Sequence, residues 1–572
     1  MLKPEVRKEY DRWCGYVTDA ELAAELQAIA ADEEAINDRF YCDLSFGTAG
    51  LRGVLGAGTN RMNTYTVCLA TQGLADYLTA SEDSPSVVIA YDSRNKSDVF
   101  AKAAACTLAA NGVKVSLMTE LQPVPVLSFA VRELGCSAGI MVTASHNPAE
   151  YNGYKCYGPD GCQMTDDAAN AVTACIRKLD VLGGAKTTDF DAAVAAGQIE
   201  MVPLSFVDQF LDVIQKQQVF PEAARDAGLT VIYSPLHGAG NKPVRAILDR
   251  IGIHAVVVPE QEAPNGDFPT VHYPNPEFKE AFDLARKLSA TVDADILLAT
   301  DPDCDRVGIA VKNAAGEWVL MTGNEVGCLL LNYILVALRE RGELPADPVA
   351  VTTVVSSRLA SAVAKGNGCE MRLVLTGFKY VGEQIFLLEQ EGHPERFMLG
   401  FEESYGYLKG GHARDKDAVV ASMLICEMAA YYKLQGKSLL DVLNDLYETY
   451  GYYCHQVVNV GFAGEQGMKD MAALMERLRT DRPVAFGGKK VVLFTDYRES
   501  FSEAADGTRT VIDLPSSNVL SFDLEDGAGV IFRPSGTEPK VKAYITATGK
   551  TKAEAEALAV VLKDEATAII KG

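Results

Sequence analysis

The densest run of potential ligands is Asp301-Pro302-Asp303-Cys304-Asp305-Arg306, directly after the apolar segment ADILLAT. In an extended chain, residues two apart point the same way, so the three carboxylates converge. Convergence is repulsive unless a cation sits among them, and oxygen-only donors favour Mg²⁺ over zinc or copper. An EF-hand loop is excluded, because Arg306 and Lys312 stand where that loop requires Gly and Glu.

A second loop, Thr143-Ala144-Ser145-His146-Asn147-Pro148, follows the apolar run GIMV and presents Ser145 at a strand end. A nucleophilic Ser needs activation. The chain has no G-x-S-x-G elbow at this Ser, which argues against acyl transfer. Asn152, Gly153 and Lys155 follow closely and place polar groups within reach of the same loop. Near the end, Arg533-Pro534-Ser535-Gly536-Thr537-Glu538-Pro539-Lys540 offers a guanidinium, two hydroxyls and backbone N–H groups, the parts of a phosphate cradle.

Two further segments complete the set. Gly400-Phe401-Glu402-Glu403-Ser404-Tyr405-Gly406 carries carboxylates and a hydroxyl that suit sugar hydroxyls, and Phe46-Gly47-Thr48-Ala49-Gly50-Leu51-Arg52-Gly53 sets one Arg among glycines. Purine-nucleotide loops fail on spacing. Tyr431 replaces the first Gly that a P-loop ending in Gly436-Lys437-Ser438 would need, and Pro243 breaks the pattern begun by Gly238-Ala239-Gly240.

The elements that must position these loops repeat along the chain. Apolar runs at 86–94, 139–148, 229–240, 294–306, 349–357 and 396–404 end in polar or Gly-rich loops, with Ala/Leu-rich stretches of helical length between them. That pattern predicts mostly parallel α/β sheets covered on both faces, with ligands gathering at the carboxyl ends of strands. From about Gly451, several strands with hairpin-like turns and a final Ala/Glu helix predict an α+β domain. The first forty residues predict surface helices.

The chain of 572 residues accommodates roughly four domains of ordinary size. Boundaries near 200, 313 and 448 divide it into 1–200 with the Ser145 loop, 201–313 with the Asp loop, 314–448 with the Glu402 loop and 449–572 with the Arg533 loop. Hydrophobic residues at 48% and charged residues at 23% exclude disorder and fibrous classes. A formal charge of −24 excludes a duplex nucleic-acid partner and an anionic membrane surface. Thirteen Cys with no C-x-x-C pair predict free thiols and a cytoplasmic location. The start lacks the apolar stretch of a secretory signal, and the longest apolar run, Val326 to Leu338, reads as a buried helix too short for a membrane span.

In FGTAGLRG, TASHNP, DPDCDR, GFEESYG and RPSGTEPK, occurring in that order over nearly the whole chain, the sequence resembles the α-D-phosphohexomutase superfamily, most closely its phosphoglucomutase-type members. The resemblance implies four domains around a central cleft: three related mixed or parallel α/β domains and a C-terminal TATA-binding-protein-like α+β domain. It implies that Ser145 carries a phosphoryl group and that Asp301, Asp303 and Asp305 hold Mg²⁺ together with an oxygen of that phosphoserine. Glu402 and Ser404 match sugar-hydroxyl contacts. Arg533, Ser535, Gly536 and Thr537 match the site of the phosphate that is not transferred, which should face Ser145, the last domain closing as a lid.

Arg52, His146, Lys155, Arg306 and Lys379 match active-site positions, with Lys155 and His146 favoured as general acid and base. The implied reaction interconverts glucose 1-phosphate and glucose 6-phosphate through glucose 1,6-bisphosphate. Phosphomannomutase or phosphopentomutase activity, a metal-dependent phosphatase and a non-catalytic sugar-phosphate sensor are the alternatives. The Glu-Glu-Ser of the third loop tilts the reading toward glucose phosphates, and Cys304 should point away from the metal. Sugar phosphates are the expected partners; the oligomeric state is not legible in the sequence.

Overall fold

The computed structural model describes residues 2–47, 50–462, 464–535 and 540–572, and the chain divides into two compact units. One comprises 1–323 and 381–436, the other 324–380 and 437–572.

The first unit opens with the helices Pro4–Tyr16, Ala20–Ala28 and Glu33–Phe40, the second and third N-capped by Asp19 and Asp32. They bury Trp13, Leu26, Ile36 and Phe40 in a small core of their own. The first sheet runs in the order Leu51–Val54, Tyr151–Tyr157, Ala138–Val142, Ser86–Tyr91, Lys114–Met118, Ile199–Val202. Its last four strands are parallel, and helices such as Thr64–Ser81 and Ser97–Ala110 contribute to its core. Ala138–Val142 is buried along its whole length, as expected of a central strand covered on both faces.

The second sheet runs Trp318–Leu320, Val307–Lys312, Ile296–Thr300, Thr230–Ser234, His254–Val257. The hairpin Phe397–Glu402 and Gly406–Leu408 also belongs to this unit, followed by Ala418–Leu434, a helix buried on nearly every side. With no polar face to turn to water, that helix must sit inside the unit.

Pure parallel pairing does not extend to the strands nearest the predicted loops. Tyr151–Tyr157 returns antiparallel to Ala138–Val142, Val307–Lys312 returns antiparallel to Ile296–Thr300, and Gly406–Leu408 returns antiparallel to Phe397–Glu402. Each of these loops is therefore the tip of a hairpin whose first strand is wholly buried.

The second unit contains the parallel pair Val349–Thr353 and Glu370–Val374 with the helix Arg358–Gly366. The apolar run at 326–338 lies in the helix Gly323–Arg341. Its C-terminal part is an antiparallel sheet in the order Tyr452–Gly461, Lys540–Gly549, Gly529–Pro534, Leu520–Leu524, Lys489–Asp496, Phe501–Ala504, Arg509–Val511. The helices Gly464–Thr480 and Lys552–Lys571 contribute Leu474, Leu478, Leu562 and Ile570 to its core. Among the described residues, no helix is long and apolar enough to cross a membrane, and none of the thirteen Cys forms a disulfide.

Candidate active site

Ser145 sits at the tip of the first hairpin in a left-handed conformation, φ 53°, with 4% of its surface exposed. For a residue with a side chain this backbone costs about 1–3 kcal/mol and persists only where its surroundings impose it. Its Oγ donates to Asp301 Oδ2 at 3.0 Å and lies 3.1 Å from His146 Nδ1. Its backbone N–H donates to Thr143 Oγ1 at 2.8 Å.

Asp301, Asp303 and Asp305 are buried, each offering a carboxylate oxygen within 4.8 Å of the others. They converge for a reason other than the alternation of an extended strand. The segment is a turn: Cys304 has φ 52°, and Asp301 Oδ1 accepts from the backbone N–H groups of Asp305 and Arg306 at 3.1 and 3.0 Å. Cys304 points away from the carboxylates, its Sγ lying 2.8 Å from where a Cβ on Gly240 would be. Gly238 likewise leaves no room for a side chain, which would meet Pro302 Cα at 2.5 Å, and Ala239 N–H donates to Pro302 O at 2.8 Å. The turn at Gly238–Gly240 is thus a floor under the Asp loop.

Lys155 Nζ donates to Asp303 Oδ2 at 2.8 Å and lies 3.9 Å from Asp305 Oδ2. Lys416 Nζ lies 3.2 Å from the same Asp305 oxygen and donates to Asp415 at 2.9 Å. Arg306 donates to Glu277 Oε1 at 2.7 Å. Burial works against the charge on Arg306, but Glu277, Asp305 and Asp301 outweigh it and raise its pKa; Asp305, Asp415 and Glu402 do the same for Lys416. Burial would also raise Asp303, yet Lys155 holds it at about 2. Asp301 is pushed well up, by burial first and by Asp303 and Asp305 next. His146 is pushed well down by burial and by Arg306, Arg52, Arg94 and Lys155, which favours the neutral imidazole.

The donor set fits a hard divalent cation. Asp303 Oδ1 and Asp305 Oδ1 are buried without a hydrogen-bond partner, and all the converging donors are carboxylate oxygens.

Backbone bonds tie the loops together. Val124 N–H donates to Asp303 O at 2.9 Å, Ala418 N–H to Cys304 O at 3.2 Å, and Val307 N–H to Tyr405 O at 3.1 Å, just past Glu402 and Ser404. Glu402 is buried at the end of its strand and Ser404 is half-buried in the tip. Arg52 stands on Leu51–Val54 and reaches Asn147 Oδ1 at 3.4 Å. Ser145, His146, Lys155, Arg306, Arg52 and the three Asp are therefore brought together. Asn152, by contrast, serves the scaffold, donating to Asn95 O and Ser97 Oγ.

The remaining predicted residues lie in the second unit. Arg533 is on Gly529–Pro534, opposite Lys542, and Ser535 N–H donates to Lys540 O at 2.8 Å across the mouth of the loop. Gly536 and Thr537 fall outside the described residues. Lys379 lies in the first turn of Phe378–Gln390 with Nζ 5.1 Å from the Tyr380 ring centre.

Lys416, Glu277 and Arg94 were not singled out by the motifs. A signal existed for Lys416: HARDKD stands directly before a helix with no polar face, so that charged run had to be buried as well. Arg94 stands between Asp92 and Lys96 and Glu277 two residues before Lys279, and nothing in their spacing links them to Ser145 or Arg306.

Phosphoglucomutase/phosphomannomutase models match in sequence: α/β/α domain I at residues 43–182, domain II at 208–316 and domain III at 322–450. The phosphoglucomutase of Staphylococcus haemolyticus is 35% identical over 553 residues, covering 94% of this chain and 96% of its own. That of Staphylococcus aureus strain USA300 is 37% identical over 510 residues, covering 89% and 90%. In fold, the Paramecium exocytosis-sensitive phosphoprotein parafusin, a phosphoglucomutase, superposes with TM-score 0.69 at 18% identity, covering 93% of this chain and 95% of its own. A phosphoglucomutase/phosphomannomutase family protein from Burkholderia thailandensis does so with TM-score 0.66 at 20% identity, covering 92% and 98%. The chain belongs to the phosphoglucomutase/phosphomannomutase family.

Proposed function

We propose that the protein interconverts α-D-glucose 1-phosphate and glucose 6-phosphate, with Ser145 as the phosphoryl carrier and glucose 1,6-bisphosphate as the intermediate. The observation that carries this reading is the strained, buried Ser145, its Oγ 3.0 Å from a carboxylate of the Asp cluster and 3.1 Å from the His146 imidazole. The phosphoglucomutases named among its relatives supply the sugar.

In the first half-reaction a sugar hydroxyl attacks phosphorus, the Ser145 O–P bond breaks, the sugar O–P bond forms, the hydroxyl proton passes to a base, and Ser145 Oγ takes up a proton as it leaves. The second half runs in reverse with the other phosphate, returning a phosphoryl group to Ser145. His146, its Nδ1 3.1 Å from Oγ, is suited to give a proton to Ser145 as it leaves and to take it back in the second half, and Lys155 and Arg306 to offset charge on the equatorial oxygens. Asp301, Asp303 and Asp305, with an oxygen of the phosphoserine, would hold Mg²⁺, which when bound neutralises phosphoryl charge.

We assign the sugar hydroxyls to Glu402 and Ser404, and the phosphate that is not transferred to Arg533, Ser535, Gly536 and Thr537, with Arg52 and Lys379 as further anion contacts. Free thiols support a cytoplasmic location.

The test is a coupled isomerase assay on glucose, mannose and ribose 1-phosphates with inorganic phosphate measured in parallel. The highest kcat/KM is expected for glucose 1-phosphate with negligible phosphate release. A higher value for mannose or ribose phosphate would move the substrate, net phosphate release would make the protein a phosphatase, and binding without turnover would make it a sensor.

A further inference from the structure

Asp92, Ser93 and Arg94 leave the carboxyl end of Ser86–Tyr91, and the Ser145 loop leaves the parallel neighbour Ala138–Val142, with Tyr91 paired to Val142. The two loops therefore emerge side by side. Arg94 is buried beneath the Ser145 loop with 3% of its surface exposed. Every N–H of its guanidinium is spent on backbone carbonyls: Nε on Ser145 O at 3.2 Å, Nη1 on Pro148 O at 2.9 Å and Tyr151 O at 3.0 Å, Nη2 on Ser145 O at 2.5 Å and on Asn147 O. The Phe268 ring centre lies 4.9 Å from its central carbon.

Its partner Asp92, 3.6 Å away, holds the other side of the same residue. Asp92 Oδ2 accepts from Thr143 Oγ1 at 2.6 Å, and Thr143 Oγ1 in turn accepts the Ser145 N–H at 2.8 Å. Both backbone polar groups of Ser145 are thus gripped, the carbonyl by Arg94 and the N–H through Asp92 and Thr143. A left-handed Ser survives only where its surroundings over-determine it, and these bonds are that constraint.

We propose that Arg94 is the positioning residue of the phosphoryl carrier: with Asp92 and Thr143 it fixes the Ser145 backbone so that Oγ faces the Asp cluster, and its trapped charge offsets the phosphoryl group the loop carries. The inference rests on the reading of Ser145 as carrier. With no donor left for substrate, Arg94 acts only through Ser145. A Lys would supply the charge but cannot span four carbonyls.

The experiment compares full-length wild type, Arg94→Lys, Thr143→Val and Thr143→Ser. It measures kcat and KM for glucose 1-phosphate, calorimetric Kd for glucose 6-phosphate, and the rate of phosphate uptake onto Ser145 from glucose 1,6-bisphosphate by quenched mass spectrometry. Arg94→Lys should slow uptake and kcat together by ~100-fold, the cost of a misplaced reacting atom, with KM and Kd unchanged. Thr143→Val removes both hydrogen bonds of the hydroxyl, to Asp92 and from the Ser145 N–H, and should slow both rates by at least about tenfold, and Thr143→Ser should restore them. Wild-type uptake and kcat in Arg94→Lys, or lower melting temperatures with unaltered transfer, would overturn the proposal. Should Arg94→Lys fail to fold, the Thr143 pair decides. Absence of uptake in wild type would instead defeat the carrier reading itself.

Discussion

The Ser145 and Asp301–Arg306 loops are both hairpin tips between a fully buried strand and an antiparallel return, yet their outside bracing differs: backbone N–H groups reach the Asp loop, and a buried guanidinium reaches the Ser145 loop. The Asp loop holds itself, through Asp301 accepting two of its own N–H groups, and rests on a glycine floor. Its negative charge is met from outside by Lys155 and Lys416 and from within by Arg306. The Ser145 loop has local bonds as well, Ser145 N–H to Thr143 Oγ1 and Asn147 N–H to Ala144 O, and is in addition strapped from below by Arg94. Lys155 and Lys416 meet the Asp loop as buried charges on its carboxylates, whereas, on the proposed reading of Ser145 as carrier, Arg94 meets a charge that comes and goes and does so from below, through the backbone.

Four substitutions sharpen or break that contrast. Ser145→Ala should abolish turnover by several orders of magnitude while sugar-phosphate binding persists, seen by steady-state kinetics beside calorimetry; near-normal rates would strip the loop of its role. Lys155→Met leaves the buried Asp303 oxygen unpaired and should cost about 3–5 kcal/mol of stability in metal-free urea denaturation, whereas an unchanged midpoint would show that the Asp loop needs no outside cation. Asp303→Asn should weaken Mg²⁺ or Mn²⁺ binding by at least about 100-fold in direct titration, and equal affinity would remove this carboxylate from the metal site. Smallest of all, Cys304→Ala should cost only about 1 kcal/mol in thermal stability and leave metal affinity intact, since its sulfur packs against Gly240; a large change in affinity would place it on the metal side.

The sequence made the strand ends legible because buried parallel strands are continuous apolar runs, and the polar residues that follow stand out against them. Ile296–Thr300 and Phe397–Glu402 lie within the predicted runs for that reason. The carboxylate cluster was legible as a composition, although its geometry is a turn with a left-handed Cys304 and not an alternating strand. The antiparallel returns were not legible, since Tyr151–Tyr157 and Val307–Lys312 have no pattern that fixes their direction. Nor was Arg94, because what makes it matter is pairing with carbonyls more than fifty residues away, and any carbonyl looks alike in a sequence.

The most direct test of the account is intact mass with peptide mapping, before and after brief exposure of the purified protein to glucose 1,6-bisphosphate and Mg²⁺. One added phosphate is expected on Ser145, removed again by glucose 6-phosphate. Phosphate that never appears on Ser145, or that resides on another residue, would contradict it.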